Sequence, residues 1–230
     1  MTTKVDEIIR TINDQGGHCF IVGGYVRDTV LGYVSRDIDV EVFGINSDKL
    51  RAILSAFGQV DLVGASFGVY KVHGVDCDFS LPRTDSKTGQ GHRGFNVHVD
   101  HGLDIYQAAE RRDFTFNSLS IDTLTGKLVD PFGGVADIHS GTIRHTGPTF
   151  GDDPLRVLRA FQFAGRFNFT IDPKTAQVCQ GLLFEASSLP VERIWAEWEK
   201  WAAKSIRPSA GLTVLVETGW VSLWSDLAGL

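Results

Sequence analysis

Apolar and polar positions along the chain change rhythm twice. Val5, Ile8, Ile9 and Ile12 recur at helical spacing, and Cys19-Phe20-Ile21-Val22 then forms a short apolar run ending in Gly23-Gly24. This predicts a helix, a strand and a glycine turn, followed by a short helix to Leu31 that Gly32 stops. From Ile38 to Phe43 the pattern alternates, with Ile38, Val40 and Val42 on one face and Asp39 and Glu41 on the other. That period of two predicts a half-buried strand with a wet side. Further strands are predicted at Gln59–Val63, Val69–Val72, Val75–Leu81 and Leu119–Thr123. Arg83 to Gly94 is Gly-, Ser-, Thr- and charge-rich with almost no apolar residue, which predicts a mobile loop. After Asp130-Pro131-Phe132-Gly133-Gly134 the pattern becomes helical, over Pro154–Phe167, Pro173–Glu185, Val191–Lys204 and Pro208–Thr218. Each of these begins at a proline or just after one, a helix-start signal. Trp195, Trp198 and Trp201, three apart, are expected to form a buried seam rather than to stack on bases. The outline is α+β: a mixed-sheet head over residues 1–145, then an all-helical segment over 146–230.

Composition narrows the class. Of the 230 residues 43% are apolar and 22% charged, an ordinary globular balance that excludes wholesale disorder. The longest nearly uncharged apolar run, Phe20 to Val26, is far short of the ~20 residues a membrane helix needs. The first residues turn acidic at Asp6-Glu7 without an apolar core, so no signal peptide is expected. Cys19, Cys77 and Cys179 are scattered and form no paired motif, which points to a reducing compartment, the cytoplasm, and away from structural zinc. Net charge is −6, which argues against a protein that coats nucleic acid non-specifically. The acidic excess lies in residues 1–140, with 19 acidic and 13 basic side chains, while residues 141–230 hold 9 of each. A soluble surface accounts for this as well as a cation site does.

The candidate chemistry begins at Gly23-Gly24-Tyr25-Val26-Arg27-Asp28 and Arg36-Asp37-Ile38-Asp39. Two glycines after a strand let backbone N–H groups approach an anion at a helix start, where the helix dipole also favours negative charge. Arg27, one turn on, adds a charged fork suited to phosphate. Asp37 and Asp39, two apart on a strand, project from one face; side by side they repel unless a cation bridges them, and Mg²⁺ takes such oxygen ligands. Alone, each motif also fits a plain turn or the wet side of an edge strand. Together, within 17 residues and in strand–turn–helix–strand order, they favour metal-assisted phosphoryl or nucleotidyl transfer.

With these residues in view, the chain resembles the class II nucleotidyltransferases of the DNA polymerase β-like superfamily: bacterial-type CCA-adding tRNA nucleotidyltransferases and the related poly(A) polymerases. The resemblance runs from about Phe20 to Leu230 through ordered blocks: GGYVRDTVLG with RDIDVEVFG, RRDFTFNSL, DPFGGVAD, GDDPLRVLRAFQFAGRF and LPVERIWAEWEKW. It implies a palm-like head, a helical neck carrying a nucleotide-selecting helix, and two Mg²⁺ ions held by Asp37 and Asp39. It further implies that Gly23, Gly24 and Arg27 hold the triphosphate, that Arg112 binds nucleotide, and that Asp113 lies near the ribose. Read from residues alone, Arg111-Arg112-Asp113 also fits a solvated helix start. Asp78, on a predicted strand, is placed where a third carboxylate would help the metals, or simply faces water.

In the segment opening at Asp152-Asp153-Pro154, Arg156, Arg159, Gln162 and Arg166 fall within about 120° of a helix circumference. The plain reading makes Asp153 a cap and the arginines a wet face. The resemblance implies pairing with the incoming base. Cytosine and adenine both show an amino donor beside a ring-nitrogen acceptor, which match a carboxylate and a guanidinium; uracil and guanine present the reverse. Asp153 and Arg156, supported by Arg159, would thus replace a nucleic-acid template. Asp152 in place of Glu, Gln162 in place of Arg, Gln107-Ala108 in place of an acidic pair and Ser118 in place of Ala depart from the family. Family members also continue past the neck into helical domains that grip tRNA, so a homo-oligomer or a separate RNA-gripping partner is expected. The expected activity is template-independent addition of C and A from CTP and ATP to the tRNA 3′ end. The alternatives are poly(A) addition, CC- or A-only addition, and a nucleotide-binding module that needs a partner.

Overall fold

A computed structural model describes residues 3–63, 68–87, 95–100 and 102–224. The elements in chain order are α1 (Thr3–Asp14), β1 (His18–Val22), α2 (Gly24–Val30), β2 (Ile38–Phe43), α3 (Ser47–Ser55), β3 (Val60–Val63), β4 (Val69–Val72), β5 (Cys77–Ser80), β6 (Arg83–Lys87) and β7 (Phe95–Val99). There follow α4 (Ile105–Glu110), β8 (Ser120–Asp122), β9 (Leu128–Val129), α5 (Gly134–Ser140), β10 (Thr142–Ile143), α6 (Leu155–Phe167), β11 (Thr170–Ile171), α7 (Pro173–Gly181), α8 (Val191–Lys204) and α9 (Pro208–Glu217). The chain divides into two compact units. One comprises residues 1–86, 96–112 and 117–135; the other comprises 87–95, 113–116 and 136–230.

The first unit is built on a seven-stranded sheet in the order β3-β4-β5-β2-β1-β8-β9. β2 and β5 run parallel, and the other recorded pairs in this sheet are antiparallel, so the sheet is mixed. Val40 and Val42 of β2 are fully buried, as the alternation predicts. Local chemistry starts the helices. Asn46 accepts the Lys49 N–H at 2.9 Å to open α3. Asp104 and Gln107 form a reciprocal capping box that opens α4. Gln107, a departure from the family pattern, therefore has a structural task. Ile105 and Ala108 of α4 pack on Phe20, Val22 and Phe43, laying the helix over the face of β1 and β2 that carries Asp39 and Glu41.

The second unit is centred on α6, whose apolar side chains and Gln162 are buried on nearly every side. Phe161 packs on Trp198 and Trp201 of α8 at ring separations of 4.6 and 5.1 Å. The α6, α8 and α9 backbones approach closely at glycines. A methyl on Gly211 would lie 2.7 Å from the Phe161 carbonyl, and the Gly165 carbonyl accepts the N–H groups of Ile206 and Arg207. Asn168 ends α6 in the left-handed conformation, φ 57°.

Several sequence expectations need correction. Glu41 is not on a wet side but buried, at 2% exposure. The buried tryptophan seam does not form as expected: Trp198 and Trp201 pack on each other and on Phe161 but stay half-buried, and Trp195 is 63% exposed. Residues 83–87 form a strand rather than part of a loop, while residues 88–94 lie outside the described residues, as do 225–230 of the matched span. Gln162 of the supposed wet face is buried. The helix expected over Pro173–Glu185 stops at Gly181 and resumes as a 3₁₀ segment over Leu183–Ser188. Among the described residues no helix is long and apolar enough to cross a membrane.

Candidate active site

In the first unit, β1 and β2 bring the glycine turn and the carboxylates together. Val22, the last residue of β1, is the antiparallel partner of Asp39, so the chain turns at Gly23-Gly24 directly beside that carboxylate. Gly23 adopts φ 72° and ψ −135°, a conformation closed to residues with a side chain. A methyl placed on it would lie 3.7 Å from Asp39 Oδ2. Asp37 immediately precedes β2, and both aspartates are exposed while Ile38 between them is buried, so both carboxylates face solvent.

β5 contributes a third acid. Asp78 is the parallel register partner of Asp39 and, on its other side, the antiparallel partner of Lys71 on β4, with the ammonium 3.1 Å from Asp78 Oδ2. Asp39, Asp78 and Lys71 thus form a row across three strands. The crowding shows in the acid strength of Asp39, pushed up from 3.8 to about 6, first by the surrounding protein, then by the negative charges of Asp78 and Asp37. Arg112 and Lys71 oppose that shift without cancelling it. The row borders a cavity of about 530 Å³ lined by Asp37, Asp39, Asp61, Lys71, Asp76 and Asp78 among others.

Arg27, expected on the triphosphate, and Arg112, expected on the nucleotide, are held differently. Arg27 turns inward: its Nε and Nη2 donate to Asp28 Oδ1 and its Nη1 donates to Asn117 Oδ1 at 2.7 Å, leaving the side chain 6% exposed. Its Nη2 lies 3.5 Å from where a methyl on Gly24 would be, so the fork backs the turn from within. Arg112 follows α4. Its Nη2 donates to Glu41 Oε2 at 2.8 Å, and its Nη1 donates to the carbonyls of Asn117 and Leu119.

The remaining candidates cluster in the second unit. Arg159 of α6 donates from Nε to Asp113 Oδ2 at 2.6 Å. Burial pushes the Arg159 guanidinium down, but the Asp113 carboxylate together with the charges of Glu197 and Asp153 outweighs it and the net shift is up. Arg156 shows the opposite balance: burial outweighs Asp113 and Asp153 and lowers it, although its Nη1 donates to the Thr149 carbonyl. Asp153 accepts the Leu155 N–H on Oδ1 and Arg193 Nη2 at 2.8 Å on Oδ2. Within each unit, then, the predicted residues meet: Gly23, Gly24, Arg27, Asp37, Asp39 and Arg112 in one, and Asp113, Asp153, Arg156 and Arg159 in the other.

Sequence reasoning passed over Glu41, Lys71, Asn117 and Arg193. Glu41 carried a signal, as a second acid on the strand that bears Asp39. Asn117 and Arg193 gained significance only from partners far away in sequence, and Lys71 only from the register of β4 on β5. Among the described residues no three or more His, Cys, Asp or Glu side chains form a preformed metal cage. Such a cage is not what Mg²⁺ needs, because in nucleotide enzymes it keeps several waters and takes one or two carboxylates plus substrate phosphates. Hard oxygen donors on one face, whose mutual repulsion a bound cation would relieve, fit that cation.

Residues 19–144 match the Poly A polymerase head domain family. A Multifunctional CCA protein of Stenotrophomonas maltophilia is 40% identical over 201 residues, which is 85% of this chain and 48% of that protein. Its namesake from Neisseria gonorrhoeae is 37% identical over 183 residues, 79% of this chain and 43% of that one. The chain spans about half the length of these curated relatives. Among solved structures, the Bacillus stearothermophilus CCA-adding enzyme in complex with CTP superposes with a TM-score of 0.81 at 29% identity, covering 100% of this chain and 56% of that one. The Thermotoga maritima CCA-adding enzyme complexed with tRNA gives 0.75 at 25% identity, covering 96% and 52%.

Proposed function

This chain belongs to the Poly A polymerase head domain family, and on that footing we propose that it is a template-independent RNA nucleotidyltransferase. It adds C and A to the 3′ end of tRNA from CTP and ATP and releases pyrophosphate. The observation that carries this reading is the Gly23 turn lying 3.7 Å, measured from a methyl position, from the Asp39 carboxylate. An anion cradle and a cation site then share one end of the adjoining central strands β1 and β2. Residues 1–145 are the head and 146–230 the neck.

Gly23 and Gly24 offer backbone N–H groups to the triphosphate, and Arg27 holds the turn in shape beneath it. Arg112 supplies positive charge to the nucleotide. Asp37 and Asp39 hold divalent cations, two Mg²⁺ ions, with Asp78 beside them; when bound, these ions neutralise charge on the attacking and leaving oxygens. The RNA 3′-hydroxyl oxygen bonds to the α-phosphorus as the bond to the bridging oxygen of pyrophosphate breaks. Asp153 accepts from the amino group of C or A, and Arg156 donates to the neighbouring ring nitrogen. Arg159, fixed by Asp113 near the ribose, supports them. A wrong base brings its own donors and acceptors against like partners and leaves them desolvated and unmatched, at a cost of about 1–3 kcal/mol each. The neighbours solved with CTP and with tRNA support the choice of substrates.

The test is incubation with Mg²⁺, each labelled nucleoside triphosphate separately, and tRNA lacking its terminal CCA. Extension with CTP, then with ATP on the CC-ended product, is the expected result. A long homopolymer from ATP alone reassigns the chain to poly(A) addition, one nucleotide only reassigns it to partial addition, and no extension with either removes the proposal. Mass measurement with and without tRNA tests for a homo-oligomer or a separate RNA-gripping partner.

A further inference from the structure

Glu41 lies on β2 two residues beyond Asp39, on the same face, and is 2% exposed. A buried carboxylate is costly unless its charge is met and its lone pairs are filled. Here each oxygen has its own arginine: Oε1 accepts from Arg111 Nη2 at 3.3 Å and Oε2 from Arg112 Nη2 at 2.8 Å. The packing of α4 on Phe20, Val22 and Phe43 delivers both arginines to this spot from the end of the helix. Arg112 is also tied on its Nη1 to the carbonyls of Asn117 and Leu119. The guanidinium is therefore fixed at both of its terminal nitrogens, 14% exposed, within electrostatic range of Asp39.

We propose that Glu41 is a positioning residue: its carboxylate fixes the Arg112 guanidinium relative to Asp39 and so sets where the nucleoside triphosphate is held. The strand that carries the cation-binding aspartates thereby also aims the arginine that meets the nucleotide. The proposal rests on the assignment of Arg112 to nucleotide binding. A pair that only held α4 to the sheet would need neither the separate arginine on each oxygen nor the second anchor on Arg112. Glutamine at this position keeps the volume but has one acceptor oxygen, and its NH₂ would face a guanidinium donor. One arginine then loses its Glu41 acceptor.

The experiment is equilibrium titration of CTP on the wild-type chain, Glu41→Gln, Arg112→Ala and the double variant, with thermal unfolding of each. Expected are a Kd for CTP raised roughly tenfold in Glu41→Gln, a similar rise in Arg112→Ala, and no further loss on combining them. A purely structural Glu41 lowers the melting temperature and leaves the Kd of the folded protein unchanged, which overturns the proposal. So does a double variant whose losses multiply. Wild-type affinity in Arg112→Ala overturns the nucleotide assignment of Arg112 and the proposal with it, whereas a loss there joined to wild-type affinity in Glu41→Gln overturns the proposal alone. Should Glu41→Gln not fold, Glu41→Asp keeps the charge but withdraws it by one methylene. It is expected to weaken CTP, and unchanged binding there overturns the proposal equally.

Discussion

Gly23 shows how one missing side chain places a site. At φ 72° and ψ −135° the backbone leaves β1 in a conformation that a Cβ makes strained, and the turn sits in ordinary contact range of Asp39 Oδ2. Gly23→Ala is expected to cost roughly 1–3 kcal/mol of stability. It should also weaken CTP, because the N–H groups of the turn would be re-aimed. Chemical denaturation alongside CTP titration checks both. This residue was legible in the chain, since Gly-Gly after an apolar run is a local signal. Arg27 was legible as a charged group near that turn but not in its direction, because Asp28 is adjacent in sequence whereas Asn117 is ninety residues away.

Helices α6 to α9 follow the sequence pattern closely, because each has a local start signal and a long periodic face. Asp172, for example, caps α7 through the Lys174 and Thr175 N–H groups. What the pattern could not show is which face meets which neighbour. The arginine arc of α6 looks like a wet face on a helical wheel, yet Gln162 within it is buried and Arg159 is engaged with Asp113. The closeness of α9 to α6 and α8 depends on Gly211, where a methyl would meet Trp201 Nε1 at 2.6 Å and the Phe161 carbonyl at 2.7 Å. Gly211→Ala is expected to destabilise the second unit by roughly 1–3 kcal/mol through overpacking, read as a lower denaturation midpoint. Trp195→Ala, at an exposed position of α8, should leave that midpoint nearly unchanged.

Across the molecule, charge concentrates its effect at the first unit's carboxylates. Asp39 titrates near 6 in the fold against 3.8 ordinarily, so the folded state holds its proton more tightly than the unfolded chain does. The associated stability is present at low pH and is lost as pH rises through about 4 to 6. Asp39→Asn is therefore expected to raise the melting temperature at pH 7 to 8, with little change at pH 4, while abolishing nucleotide incorporation. Mg²⁺ should likewise raise the melting temperature of the wild-type chain, and less that of Asp39→Asn, because the cation relieves the repulsion the substitution removes. Below pH 6 the proton competes with the cation, so the Mg²⁺ needed for half-maximal activity should climb by up to about tenfold per pH unit. Titrations of Mg²⁺ at pH 5, 6 and 8 read this directly, and a flat requirement contradicts it.

Local order along the chain settled the parts whose chemistry is short-range. These are the glycine turn, the paired aspartates two residues apart, the proline-started helices, and the blocks that mark the family. Folding settled everything that depends on distant neighbours. Asp78 became a third carboxylate only because β5 pairs in register with β2, and Lys71 joined it only because β4 pairs with β5. Glu41 left the solvent because α4 brought two arginines over it. The physical reason is that periodicity tells a residue which side of its own element it occupies, whereas cross-strand register and helix packing decide what waits on that side.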